Sequence, residues 1–197
     1  MENNNINNVS TYDRYFNGLI KFGVCEEGVN LLKERYGEQI RKASICTKRE
    51  SGCAYEGSLL DVALKSATMA CNINNMLSKE ARVDTKTLCK VCFLNLIGMA
   101  EALIPQNDKW RIEHLGEMFT YKNDIASISN SLRSISMCSQ CGISFTPEEI
   151  EAMITVDRPV DDKQGKFYSS LLTTIVKSAY EITFAELKAK AKKGEVK

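Results

Sequence analysis

The sequence predicts an all-α fold in a single domain, and three observations carry that expectation. Apolar residues recur at three- and four-residue spacing from Gly57 to Leu77, again after Asp84, and again from about Ser169. That spacing gathers them into one stripe on a helix. Thr146-Pro147-Glu148-Glu149 is a helix start, with a threonine N-cap, proline at the first helical position and glutamate at the third. No segment alternates convincingly enough to read as a strand. With 197 residues and 44% hydrophobic composition, the chain suits one domain with a sizeable core.

In chain order, the Asn-rich opening to about Val9 has too little apolar surface to pack alone. It reads either as disordered or as an arm that orders on a partner. The wider division expected is a polar arm over 1–22, a helical domain over 23–187 and a basic tail over 188–197. Val29, Leu31, Leu32 and Tyr36 suit a short helix from Glu26 to Tyr36, with Gly37 in the C-cap position. A linker containing Gly52 follows. The next helix, Gly57 to Leu77, carries Leu60, Ala63, Leu64, Ala67, Ala70, Cys71 and Met76 on its apolar stripe. Asp84 is a plausible N-cap for a helix through Leu88, Val91, Cys92 and Leu96, ending near Gly98 or before Pro105.

Asn107 to Asn123 holds Trp110, Phe119 and Tyr121 without a period, and reads as an irregular connection with aromatic anchors. Ile125, Ile128, Leu132 and Ile135 resume helical spacing. Ile150, Met153 and Ile154 supply the buried face of the helix that Thr146 starts. After a polar loop, Asp157 to Gly165, a last helix is expected to bury Leu171, Leu172, Ile175, Val176, Ala179, Ile182 and Leu187. The Lys-Ala alternation from Lys188 to Lys193 suits the negative end of that helix's dipole.

The 26 basic and 25 acidic side chains nearly cancel, so no global field favours nucleic acid or an anionic membrane. The opening Met1-Glu2-Asn3 is not the basic, then apolar pattern of a secretory signal, and no apolar run approaches the roughly 20 residues of a membrane span. A soluble, cytoplasmic protein is expected, with the eight cysteines as reduced thiols.

Ala54-Tyr55-Glu56-Gly57-Ser58-Leu59-Leu60-Asp61 resembles the start of the first core helix in HD-domain phosphohydrolases of bacteria and their phages. Phe93-Leu94-Asn95-Leu96-Ile97-Gly98-Met99 is similar to that family's His-Asp segment. Trp110 to Tyr121 resembles its aromatic approach to the third helix, and Phe145 to Ala152 its capped helix. Order and spacing agree from about Tyr55 to Ala185. The resemblance implies an HD-type helical bundle, in which a cluster of His and Asp would hold one or two divalent metals and activate a water.

Those ligands are missing. The first His of the family corresponds to Val62, the His-Asp pair to Asn95 and Leu96, and the following Lys to Met99. The His of the third helix falls near Ser129, the His after the capped helix near Val156, and the Asp of the last helix near Tyr180. His114 is the only histidine in the chain, and reads as a surface or hydrogen-bonded residue. The apolar replacements suggest a filled metal cleft, with about 1.5–3 kcal/mol for each fully buried side chain.

Cys89/Cys92 and Cys138/Cys141 are two Cys-x-x-Cys pairs, the usual signature of four-thiolate zinc. Cys89 and Cys92 lie inside an expected helix without a knuckle turn, so buried or loop thiols are the favoured reading, with no cofactor. Redox chemistry at Cys138/Cys141 lacks a preceding thioredoxin-like strand. Gly-rich phosphate loops, Gly-x-Ser-x-Gly and His-Glu-x-x-His are absent from the sequence. Carboxylate pairs such as Glu26/Glu27, Glu148/Glu149 and Asp161/Asp162 read as solvated helix starts or loop tips.

The resemblance without its ligands implies a pseudoenzyme used for assembly or interaction, phage-encoded and a candidate virion component, with protein partners or further copies of itself. An alternative is a nucleotide sensor in which Lys177, Arg133 and Arg158 contact phosphate. A lesser one is a phosphohydrolase with relocated ligands.

Overall fold

Ser10 caps the first helix, α1 (Thr11–Lys21), by accepting a hydrogen bond from the Asp13 N–H at 3.1 Å. Tyr15, Phe16 and Leu19 share one face of it and are buried. Residues 11–21 therefore form a helix docked on the core by one face, which corrects the expected arm over 1–22: Tyr15, Phe16 and Leu19 fall on one side of it. The computed structural model describes residues 10–157 and 169–194. The Asn-rich opening, most of the 157–165 loop with Arg158, and residues 195–197 lie outside them.

The second helix, α2 (Glu26–Lys42), runs through the expected stop at Gly37. Gly37 is buried because the Tyr12 hydroxyl sits where its Cβ would be, 2.5 Å away. This glycine serves close packing rather than termination. A 3-10 turn, Arg49–Ser51, then leads to α3 (Ser58–Met76). Leu59, Leu60, Val62, Ala63, Ala67 and Ala70 are buried along α3, whereas Met76, the last residue of the helix, is 85% exposed rather than on the buried stripe.

Asp84 caps α4 (Thr85–Leu94) as expected, accepting from the Thr87 N–H at 2.9 Å. The chain turns at 95–98 into a short α5 (Met99–Ala102). The stretch expected to be irregular, Asn107 to Asn123, holds α6 (Lys109–Leu115) and β2 (Phe119–Tyr121), and β1 (Leu103–Pro105) precedes it. The strands pair antiparallel, Leu103 opposite Tyr121 and Pro105 opposite Phe119. Three-residue strands are too short to display a period of two, which is why they were invisible in the sequence.

Ser129 caps α7 (Asn130–Gln140), so Ile125 and Ile128 precede the helix. Its buried face is Ser131, Arg133, Ser134, Met137 and Cys138, and Leu132 faces outward. Ile135 is half-buried against the core, so the apolar spacing found only part of an inward face that also carries two serines and an arginine. Next, α8 (Pro147–Asp157) opens on the expected capping box: Glu149 accepts from the Thr146 N–H at 2.8 Å, and Thr146 Oγ1 from the Glu149 N–H at 3.2 Å. Met153 is buried, and Ile150 and Ile154 only partly.

The last helix, α9 (Leu171–Lys192), buries Leu172, Ile175, Val176, Ala179 and Leu187, but Leu171 and Ile182 face solvent. Residues 188–192 continue the helix, correcting the expected tail. The central element is α3, packed against α4 and α9; α8 lies on α9, and α1 covers α2, α3 and α4. The fold is predominantly helical, with one small sheet. No described helix is long and apolar enough to cross a membrane.

Candidate functional site

The last carbonyls of any helix lack intrahelical donors, and burying them unpaired is costly. The end of α4 lies inside this protein, and Asn95 N–H closes only one of them, on Val91 O at 3.0 Å. The Tyr180 hydroxyl, from α9, donates to Cys92 O at 2.6 Å, and the Tyr15 hydroxyl, from α1, to Phe93 O at 2.7 Å. From α7, the Ser134 hydroxyl donates to Asn95 O at 2.7 Å and accepts from the Gly98 N–H at 2.8 Å. Gly98 permits this approach, since a Cβ there would come 2.5 Å from Asn130 O. Burial holds the Tyr15 phenol well above its ordinary pKa, with a smaller contribution from Cys138, so it remains a donor.

Of the positions singled out by the resemblance, Asn95, Leu96 and Tyr180 lie here. Val62 on α3, Asn95 and Leu96 after α4, and Tyr180 on α9 are all buried, on three helices that pack on one another. Ser129 and Val156 do not join them: Ser129 is the N-cap of α7, accepting from the Leu132 N–H, and Val156 is a half-buried residue near the end of α8. Met99 is buried. The Asn95 side-chain amide is buried with neither its oxygen nor its nitrogen hydrogen-bonded, a loss of about 1–3 kcal/mol relative to a satisfied group.

Of the cations considered for phosphate, the two that are described, Arg133 and Lys177, do not line one cleft. Arg133 is buried, its Nη2 donating to Ala126 O at 2.9 Å, and Arg158 lies outside the described residues. Lys177 lines a separate shallow cleft of about 310 Å³ with Thr155, Thr173 and Glu181.

Nor do the cysteines make a zinc centre. Among the described residues no three His, Cys, Asp or Glu side chains are grouped to hold a metal. Cys89 lies 3.5 Å from Cys71 rather than with Cys138 and Cys141, because the continuous helix α4 leaves Cys89-x-x-Cys92 no knuckle turn. Burial pushes the Cys92 thiol well up, with Cys71 adding to it, and likewise Cys138, with Cys141 adding. Both shifts oppose the thiolate a metal needs. His114 is exposed and stacked on Trp110, ring centroids 5.1 Å apart, and lines no described cleft.

A cleft of about 870 Å³ opens elsewhere, between the 49–56 segment, the 105–119 excursion and the end of α9. Its walls are zipped by backbone: Arg49 N–H donates to Gly116 O and Met118 N–H to Thr47 O, each at 2.8 Å. Arg49, Glu50, Tyr55, Glu56 and Gln106 are its polar groups, and Leu115 and Phe119 are among its apolar ones. Tyr55 donates to Asp61 at 2.8 Å, and burial together with that carboxylate raises its pKa, so it cannot act as a base at neutral pH. The arrangement offers polar and apolar contact but no base beside a nucleophile. Sequence reasoning missed this cleft, whose parts come from segments about 50 and 140 residues apart along the chain.

Comparisons of the chain with protein-family models, with curated proteins and with solved structures found no match.

Proposed function

We propose that this chain is a non-catalytic interaction module, an HD-type bundle that assembles with further copies of itself, as a component of a phage particle would. One observation carries the reading: Ile104, Trp110, Leu115 and Tyr121 all face solvent on the single excursion from β1 to β2, with Trp110 58% and Tyr121 54% exposed. Large aromatic and apolar side chains concentrated on one surface are the usual anchors of protein contacts. The near-neutral charge favours a protein partner over nucleic acid.

A non-catalytic role draws support from the apolar Val62 buried on α3 and from the end of α4, where Tyr180 and the other polar groups that do bond are tied to backbone. Light scattering on the full chain tests the reading. A mass of two or more protomers is expected, falling to one protomer in a Trp110→Ser, Tyr121→Ser double variant with unchanged helical circular dichroism. A strict monomer, or phosphoester turnover with Mn²⁺ that a chelator abolishes, would overturn it.

A further inference from the structure

Cys46 and Cys53 stand apart from the other thiols. Their sulfurs are 2.6 Å apart, well inside the spacing of unbonded sulfurs and close to the roughly 2.05 Å of a covalent S–S bond. The Ser44 hydroxyl lies against both of their backbone carbonyls, 2.8 Å from Cys46 O and 3.2 Å from Cys53 O, so the ends of the segment are already held together. Gly52, at φ +73°, lets the turn press its backbone against Leu187 O of α9, where no Cβ would fit. The two cysteines differ in access: Cys46 is half-buried, while Cys53 is fully buried with Ser51 Oγ at 3.4 Å.

We propose that Cys46 and Cys53 form a dithiol site that small-molecule disulfides oxidise to an intramolecular disulfide, with Cys46 as the attacking sulfur. The Cys46 thiolate attacks one sulfur of the small disulfide, forming a mixed disulfide and expelling one small thiolate, which takes up the proton Cys46 had lost. Cys53 then gives its proton to solvent and attacks Cys46 Sγ, expelling the second small thiolate, which is protonated in turn. Two protein thiols and one small disulfide become one protein disulfide and two small thiols. Two electrons pass to the reagent.

The electrostatics agree with that order. The hydrogen bond from Cys53, opposed by burial and helped by Ser51, lowers the Cys46 pKa from 9.0 to about 7. The same contact, together with burial, pushes the Cys53 thiol up. The bond would lock the Arg49–Ala54 wall of the large cleft. Cys71 and Cys89 are the internal contrast: Cys89 likewise holds the Cys71 thiol below its ordinary pKa, but their sulfurs are 3.5 Å apart on two packed helices.

The experiment incubates the full chain with oxidised glutathione, blocks free thiols with iodoacetamide and maps tryptic peptides. Cleavage after Lys42, Lys48, Arg49 and Lys65 separates the two cysteines, so the disulfide joins peptides 43–48 and 50–65. That cross-link, lost on reduction, is the expected product. Cys53→Ser should accumulate glutathione on Cys46, and Cys46→Ser should leave Cys53 unmodified. Full alkylation of both cysteines in the oxidised wild type, or Cys71–Cys89 forming first, would overturn the site. Glutathione on Cys53 in the Cys46→Ser variant, at a rate matching the wild type, would overturn the assignment of Cys46 as the attacking sulfur.

Discussion

The end of α4 and the excursion from β1 to β2 solve the same problem in opposite ways. Each interrupts helical hydrogen bonding. At the end of α4 the chain is buried, and hydroxyls from three distant helices reach the carbonyls. Along the excursion, backbone groups pair with other backbone, β1 with β2 and Met118 with Thr47, while Trp110 and Tyr121 stay in solvent. The contrast teaches where each kind of side chain is used. Inside, hydroxyls serve as structural ties; outside, Trp110 and Tyr121 leave more than half of their surface in solvent.

Substitutions can break the comparison, beginning with Val62→Asp. An unpaired carboxylate at a fully buried position should cost more than about 4 kcal/mol or prevent folding, read by urea denaturation. A loss under about 1 kcal/mol would mean the interior there is open to water. Tyr180→Phe and Tyr15→Phe each orphan a buried carbonyl, and each should cost about 2 kcal/mol by the same measurement. Asn95→Leu has the opposite sign, because it removes two unpaired polar atoms without breaking a hydrogen bond. A gain of about 1 kcal/mol is expected, and destabilisation would show that the amide is satisfied by a buried water.

The smallest effect is a rate. Only the thiolate reacts, and the Cys46 pKa is lowered, so alkylation of Cys46 should rise as pH rises and level off above about pH 7. An unperturbed thiol keeps accelerating to about pH 9. A Cys53→Ala variant should move the Cys46 profile upward, since the donor that lowers its pKa is gone.

Features set by neighbours in sequence were legible. The Asp84 cap and the Thr146–Glu149 capping box each connect residues three apart, and both form. The stripe on α3 was readable because Leu60, Ala63, Ala67 and Ala70 repeat long enough to show a period. The helix α1 was missed beside an Asn-rich opening, and β1, α6 and β2 were too short for periodicity to act on. On α7 the pattern failed in part for a different reason: beside Met137 and Cys138 its buried face carries two serines and an arginine, polar residues that only their partners justify. Of the candidate positions, Val62, Asn95, Leu96 and Tyr180 are brought onto mutually packed helices, while Ser129 and Val156 are not.

The sequence by itself determined that the chain is helical, where most helices begin, and that no set of imidazoles exists to hold a metal. Those properties depend on local spacing and on which residues are present. Tertiary structure alone decided that α4 ends in the interior, that Tyr15 and Tyr180 close its carbonyls across 78 and 88 residues, and that Cys46 meets Cys53 across a turn. A hydrogen bond or a sulfur contact acts over about 3 Å, so its partner is fixed by where the folded chain returns and not by distance along the sequence.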